Sequence, residues 1–296
     1  MEKSDLIFDS RTLLKHRTRA GRSFKLYDFM MQEVANRLTE RLLETNRNFD
    51  TGVGICWQNK ILQEAINSVG KINNFVAYSS SKSKNSEINQ IISETELLPL
   101  APNSVDLIVS LLDWHWVNDF PGILSQSLTA LKPDGLMLGA MFGGETLNEL
   151  RSVLLEAEII TTGGVTPRVS PFVNVETVGS LLSRVGFAIP IVDIDNIQVT
   201  YPNALKLMHE IRGMGESNCL KERCKNFTRR DTLLKAADLY QNKFGTKDGK
   251  ITATFQIIFI TAWAPHKSQP KPLRRGSGKY PLESAINSTE KFNKIS

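Results

Sequence analysis

The sequence predicts a single α/β domain in which a mostly parallel sheet carries helices on both faces. Strand-like apolar runs alternate with helix-like segments along most of the chain, which is typical of this class. Two of the runs, 105–112 and 136–142, are almost entirely apolar, as in strands covered on both sides. With 296 residues, of which 41% are hydrophobic, the chain can form a sizeable core.

The elements follow from periodicity and from turn residues. Met30, Val34 and Leu38 recur every four residues and share one face of the first predicted helix. The predicted helices are 26–45, 61–69, 121–131, 146–157, 175–185, 202–212 and 230–244. The predicted strands are 50–56, 74–78, 88–92, 105–112, 136–142, 189–199 and 251–263. The polar run 79–86 is predicted as a loop, and residues 132–135, with their proline and glycine, as a tight turn.

Composition excludes several classes of protein. No apolar run approaches the length of roughly 20 residues that a membrane-spanning helix needs. Cys56, Cys219 and Cys224 have neither paired nor metal-ligand spacing, so we expect no disulfide and no metal site, and a reducing compartment.

Positive charge is concentrated at the two ends of the chain. Residues 1–25 carry seven Lys or Arg against three acids, and residues 264–296 carry seven against two, whereas the part between them is acidic. We therefore distinguish a basic N-terminal segment (1–25), a central domain (26–264) and a basic, partly flexible tail (265–296). Such ends are either solvated or meet an acidic partner, and nothing in the pattern indicates nucleic acid.

Several blocks of sequence resemble a known family. They are 115–119 (HWVND), 131–135 (LKPDG), 139–147 (GAMFGGETL), 170–172 (SPF), 213–218 (GMGESN), 230–232 (RDT) and 274–277 (RRGS). Together they resemble the arginine-hydroxylase assembly factors of respiratory complex I, a group related to the malonyl-carrier methyltransferases of biotin synthesis. The blocks 139–147 and 213–218 are the most specific, because the Lys-Pro-Asp-Gly turn recurs in many methyltransferases.

The resemblance implies a Rossmann-like class I methyltransferase sheet of about seven strands, the last one antiparallel. It implies S-adenosylmethionine (SAM) as cofactor and an iron–sulfur subunit of complex I as protein partner. It also implies a bacterial cytoplasmic location, or the mitochondrial matrix in a eukaryote, although no transit peptide is evident. Three functions stay open: arginine hydroxylation during complex I assembly, SAM-dependent methyl transfer to a protein or carrier-bound acid, and a non-catalytic scaffold.

The cofactor turn departs from the family pattern. In such proteins the first strand ends in Asp-x-Gly-x-Gly-x-Gly, because glycines let the backbone approach the cofactor. Alignment on Arg47-Asn48-Phe49 places Gly54 at the acid, and Cys56, Gln58 and Lys60 at the three glycines. The acid that binds the ribose at the end of the second strand falls on Tyr78. A slip of two residues would leave Gly52, Gly54 and only Asp50 as a carboxylate, so SAM binding is expected to be weak or lost.

Other polar residues remain candidates for a site. Glu94 stands where a carboxylate reaches the adenine amino group in the family, and Asp113 and Trp114 follow the fourth strand at the ligand crevice. His115 could act near neutral pH, but packing between tryptophans competes with that role. Glu216 and Asn218 lie in a glycine-bracketed loop, where substrate binding, pairing with Arg274 or Arg275, and helix capping are all open. These positions leave the catalytic residues unassigned among His115, Glu216 and Asn218.

Overall fold

The computed structural model describes residues 6–79, 90–92, 96–270, 276 and 277, with the backbone alone at 90–92. The chain forms two compact units, residues 1–265 and residues 266–296. The first unit contains every helix and strand described below. In the second unit, His266 Nδ1 lies 2.7 Å from the hydroxyl oxygen of Ser268.

The helices and strands alternate as the sequence predicts. The helices are α1 (Ser10–Ala20), α2 (Phe29–Glu44), α3 (Asn59–Val69), α4 (Phe120–Ala130), α5 (Asn148–Thr162), α6 (Val175–Val185), α7 (Ala204–Gly213) and α8 (Arg230–Phe244). The strands are β1 (Phe49–Ile55), β2 (Ile72–Ser79), β3 (Gln90–Ile92), β4 (Val105–Leu111), β5 (Leu131–Phe142), β6 (Ala188–Tyr201) and β7 (Ile251–Trp263).

The seven strands form one sheet in the order β3-β2-β1-β4-β5-β7-β6. The strands from β3 to β5 pair in parallel, and β7 runs antiparallel to both β5 and β6. This arrangement confirms the α/β class, the strand number and the antiparallel last strand.

The central strands β4 and β5 are neighbours, and Ile108 pairs with Met137. All seven residues of β4 are buried. Leu107 and Val109 belong to a core cluster with residues of α2, α3, α5, α7 and α8. Ile108 belongs to a second cluster with residues of α4 and α6. Helices therefore cover both faces of the sheet, as predicted.

The structure corrects one local prediction. Residues 132–135 are not a separate turn but an irregularity inside β5, where the pairing with β4 skips from Val105–Leu131 to Leu107–Leu136. Asp134 takes a left-handed conformation there, with φ of 66°. The extra residues are accommodated as a bulge because the strand continues on both sides of them. Of the loop predicted at 79–86, all but Ser79 lies outside the described residues, and Ser79 itself ends β2.

Helix α1 lies inside the segment that we distinguished only by its charge. Asp9 caps it, accepting a hydrogen bond from Thr12 N at 3.1 Å. The helix buries Leu13, Arg17 and Ala20. Residues 10–20 therefore contribute to the core of the first unit.

Candidate functional site

The carboxyl ends of β1, β2 and β4 meet where the strand order reverses, the usual position of a ligand crevice in open α/β sheets. Ile55, the last residue of β1, pairs with Tyr78 on one side and with Ser110 on the other. Tyr78, the residue that we predicted at the position of the ribose-binding acid, thus lies at this edge of the sheet.

The turn after β1 is short and filled by side chains. Only residues 56–58 separate β1 from α3. The Cys56 thiol is fully buried, 3.8 Å from the sulfur of Met31, and accepts a hydrogen bond from Gln58 N at 3.3 Å. Burial and the nearby Asp113 carboxylate raise the pKa of this thiol, so it remains protonated. Trp57 is also buried, with its ring 4.7 Å from that of Phe24.

Gly54, the residue that we predicted at the position of the family's first acid, has no room for a side chain. Gly54 lies within β1, and a Cβ atom added to it would come 2.4 Å from Cζ of Phe75 and 2.8 Å from Cδ2 of Leu62. The Phe75 ring therefore occupies the space that a side chain at position 54 would need. Because protein interiors are close-packed, an acid could enter only if this ring moved.

The alternative register is excluded by geometry. Asp50 is the second residue of β1, is exposed, and accepts a hydrogen bond from Asn73 Nδ2 at 3.0 Å. It lies at the amino end of the strand, opposite the carboxyl end at which the crevice opens. Gly52 also lies within the strand, against Phe75. These residues cannot form the cofactor turn.

Tyr78 is used within the protein. Its side chain is buried, and its hydroxyl donates to the carbonyl oxygen of Leu97 at 2.7 Å. The residue predicted to contact adenine, Glu94, lies outside the described residues. The described residues therefore supply neither the ribose carboxylate nor the glycine turn, and they do not fit SAM bound in the usual way.

A buried cluster of charged residues lies beside this turn. Leu112 adopts a left-handed conformation, with φ of 47°, directly before Asp113; this costs about 1–2 kcal/mol for such a residue. Asp113 Oδ1 lies 2.6 Å from Nη1 of Arg17, and both side chains are buried, at 8% and 4% exposure. Helix α1 therefore delivers a guanidinium to the carboxyl edge of β4.

His115 and Glu216 form the second half of the cluster. Glu216 Oε2 lies 2.9 Å from Nε2 of His115 and accepts a hydrogen bond from Nε1 of Trp116 at 2.6 Å. The imidazole is fully buried, with its ring centre 4.8 Å from that of Phe142 and 5.4 Å from that of Phe172. His115 is thus both packed among aromatic rings and paired with a carboxylate.

The four polar residues interact electrostatically. Burial opposes ionisation of Glu216, but the charges of His115 and Arg17 outweigh it and lower the pKa of this carboxyl. Burial also opposes the charge on Arg17, whereas Asp113 and Glu216 raise the pKa of the guanidinium. Arg17 is therefore held as a cation between two carboxylates.

Several buried polar atoms in the cluster and beside it have no partner among the described residues. They are Nε and Nη2 of Arg17, Nδ1 of His115, and the indole nitrogens of Trp57 and Trp114. Unpaired buried polar atoms are uncommon in folded proteins and call for an explanation. Two small cavities border Glu216, one of about 60 Å³ beside Phe172 and one of about 10 Å³ beside Met31.

Asn218 has a different position from the other two catalytic candidates. Its Nδ2 donates to the carbonyl oxygen of Pro167 at 2.8 Å, and its Oδ1 accepts from Leu220 N at 2.9 Å. Both polar atoms thus fix the loop after α7.

Trp114, which we predicted at the ligand crevice, packs over Gly139, where an added Cβ would lie 2.8 Å from the indole ring.

Arg17 is the residue that sequence reasoning missed. The sequence contained a signal for Arg17, because Leu13, Arg17 and Ala20 have helical spacing after the capping Asp9.

Among the residues that the structure describes, no group of three or more His, Cys, Asp or Glu could hold a metal ion. In the same part of the chain, no helix has both the length and the apolar character needed to cross a bilayer.

Comparison with known proteins identifies the family. A family model described as "Methyltransferase domain" matches residues 49–139, from β1 into β5. The arginine-hydroxylase NDUFAF5, mitochondrial, of Danio rerio is 41% identical over 257 residues, which cover 85% of this chain and 80% of that protein. The chain belongs to the NDUFAF5 arginine-hydroxylase family. The Mus musculus member is also 41% identical, over 92% of this chain and 81% of its own length.

The chain is also similar, at lower identity, to proteins named as methyltransferases. The malonyl-[acyl-carrier protein] O-methyltransferase of Gallionella capsiferriformans is 26% identical over 280 residues, covering 88% of this chain and 93% of that protein. Among solved structures, the YcgJ protein of a Bacillus matches with a TM-score of 0.52 at 12% identity, over 78% of this chain and 99% of that one. This structural likeness shows the methyltransferase fold alone.

Proposed function

We propose that this member of the NDUFAF5 family acts in the assembly of respiratory complex I by binding an arginine-bearing segment of an iron–sulfur subunit. The compartment proposed for it is the bacterial cytoplasm, or the mitochondrial matrix in a eukaryote. Its relatives are named arginine hydroxylases, and the proposal assigns the same substrate side chain to this chain.

The buried cluster of Arg17, Asp113, His115 and Glu216 supports this proposal. Two carboxylates, Asp113 and Glu216, face one guanidinium in this cluster, and carboxylates attract a cationic ligand. Asp113 Oδ2 and Glu216 Oε1 make no hydrogen bond within the described residues, although the second oxygen of each carboxylate does. A carboxylate with an available oxygen is a strong acceptor for an arginine side chain.

Arg17 shows that the site accommodates a guanidinium. This group pairs with Asp113, and its central carbon lies 5.7 Å from the centre of the Trp57 ring. A carboxylate combined with an aromatic face is a common environment for arginine. These contacts of Arg17 support the proposal that the elements which normally form the cofactor crevice bind an arginine side chain in this protein.

Methyl transfer has less support in the structure. The turn at 56–58 is filled by Cys56 and Trp57, and Phe75 occupies the space that a side chain at position 54 would need. The elements beyond β4 nevertheless retain a built polar site. A protein that binds arginine without depending on tight SAM binding is the function that these observations favour.

The test is capture of the purified iron–sulfur subunit by the immobilised chain. We expect Asp113→Asn and Glu216→Gln each to weaken capture by about tenfold or more, because a charge-assisted hydrogen bond is removed. Glu222→Gln is the matched control, since Glu222 is exposed on a neighbouring loop and makes no ion pair in the described residues. Circular dichroism at the assay temperature must show that every variant is folded.

Two readouts separate the functions. Mass spectrometry of the captured subunit shows whether an arginine gains one oxygen atom, which distinguishes hydroxylation from a scaffold that only binds. Replacing the modified arginine by lysine in the subunit should reduce capture by the unaltered chain. If both folded site variants capture the subunit as well as the control does, arginine recognition by this cluster is wrong.

A further inference from the structure

A basic pocket lies on the other side of the segment that carries Glu216. It is a cavity of about 280 Å³ formed between the ends of α1 and α7 and two loops. Five of its lining side chains are basic: His16, Arg19, Arg168, Arg212 and Arg223. Its lining includes no carboxylate.

Two of these arginines are already neutralised by acids outside the pocket. Arg168 Nη2 lies 2.6 Å from Oε1 of Glu158, and Arg223 Nη2 lies 3.2 Å from Oδ2 of Asp9. These contacts orient the two guanidinium groups at the wall of the pocket. Neither contact neutralises Arg19 or Arg212, the other two arginines of the pocket.

Arg19 and Arg212 have no acidic partner within the part of the chain that the structure describes. Each lies in the last turn of its helix, α1 or α7, where the helix dipole favours a cation. Because these two helix ends meet, the two cations meet as well. The pocket therefore holds two arginines that form no ion pair with an acidic side chain among the described residues.

Repulsion among the basic groups of the pocket lowers the pKa values of two of them. Partial burial and the charge of Arg212 lower the pKa of Arg19. Burial, together with Arg19, Arg223 and Arg212, lowers the pKa of His16. The His16 imidazole also faces the loop of the site, since its Nδ1 lies 3.2 Å from the carbonyl oxygen of Ser217. A bound anion would remove this repulsion.

We propose that this pocket is a binding site for a phosphate group. A phosphate carries about two negative charges near neutral pH, which matches the two arginines without an acidic partner in the described part of the chain. Guanidinium groups match its oxygens through paired hydrogen bonds. The pocket is separate from the Asp113–Glu216 cluster, so the proposal does not rest on the proposed function.

The test is titration calorimetry of the full chain with inorganic phosphate and with pyrophosphate, against sodium chloride of equal ionic strength. We expect binding at a single site for both phosphate compounds. The double variant Arg19→Gln/Arg212→Gln should weaken that binding at least tenfold, because charge-assisted hydrogen bonds are lost. Arg184→Gln, which changes an exposed arginine on α6, should bind phosphate as the unaltered chain does.

Folding does not confound this experiment. Removing two repelling cations should leave the melting temperature of the double variant unchanged or slightly higher when phosphate is absent. Equal phosphate affinity in the double variant and the unaltered chain would overturn the proposal, and so would the absence of any phosphate binding. If a glutamate-rich peptide binds through Arg19 and Arg212 whereas phosphate does not, the pocket recognises an acidic protein and our assignment is wrong.

Discussion

Glu216 illustrates how a single side chain can hold together residues from distant parts of the chain. Its carboxylate connects the loop after α7 to His115 and Trp116, and it lies close enough to Arg17 to stabilise the guanidinium. Sequence alone had left it either facing a substrate or pairing with Arg274 or Arg275, which lie outside the described residues. Its observed contacts are internal, and one oxygen remains available.

We therefore expect Glu216→Gln to destabilise the protein. The amide can no longer form charge-assisted hydrogen bonds with His115 and Trp116, which should cost about 1–3 kcal/mol in the free energy of unfolding. Urea denaturation followed by circular dichroism measures this cost, with Glu222→Gln as the exposed control. Equal stability of the two variants at neutral pH would contradict the internal role of Glu216.

The same residue predicts a pH dependence. The pKa of Glu216 is lower in the folded protein than its ordinary value of 4.5. Its contribution is therefore complete above the unfolded pKa and is lost as the pH falls through the folded one. The difference in unfolding free energy between the unaltered chain and Glu216→Gln should shrink below about pH 4.5. A difference that stays constant down to pH 3 would count against this linkage.

The cofactor turn also makes a prediction about individual residues. Without a ribose carboxylate at Tyr78, SAM should bind at least tenfold more weakly than in ordinary methyltransferases, because about 1.5–3 kcal/mol of charge-assisted hydrogen bonding is missing. Calorimetry with SAM and S-adenosylhomocysteine measures this affinity. Tyr78→Asp combined with Cys56→Gly and Gln58→Gly should strengthen it, at a cost in stability because Tyr78 and Cys56 are buried. Low-micromolar SAM binding by the unaltered chain would refute the prediction.

Among the elements, β4 is a central strand that is buried along its whole length. Its residues face two core clusters, and Ile108 is fully buried between Val53 and Met137 on the neighbouring strands. Ile108→Asp should therefore prevent folding, since a buried unpaired charge costs several kcal/mol. Ile108→Val is the control and should cost only about 0.5–1.5 kcal/mol. Soluble, cooperatively folding Ile108→Asp protein would contradict this central position.

Helix α1 is the element whose role the sequence concealed. Basic residues dominate it, so its average composition resembles that of a solvated segment. Only Leu13, Arg17 and Ala20 are buried, and one of them is charged. A hydrophobic pattern along one helix cannot show that a carboxylate on another element pairs with its buried arginine. The Arg17–Asp113 pair spans 96 positions in the chain, so only folding brings it together.

In the molecule as a whole, the methyltransferase fold is present although buried side chains, Cys56 and Trp57, fill the turn after β1. The helices on both faces of the sheet contribute to two core clusters, and these clusters include Cys56 and Tyr78, which stand at the positions predicted for a glycine and for the ribose acid. The crevice depends on a few residues at the strand ends. A site can therefore change while the fold that positions it persists, which is why relatives share a fold but differ in their named activities.

The sequence by itself determined the α/β class, most element positions, and the central pair β4 and β5. These features depend on local periodicity and on residue identity, which can be read along the chain. Tertiary structure alone decided that Phe75 fills the space beside Gly54, that residues 132–135 continue a strand, and that Arg17 joins Asp113. Each of these depends on contacts between residues far apart in sequence, and the identity of one partner does not specify the other.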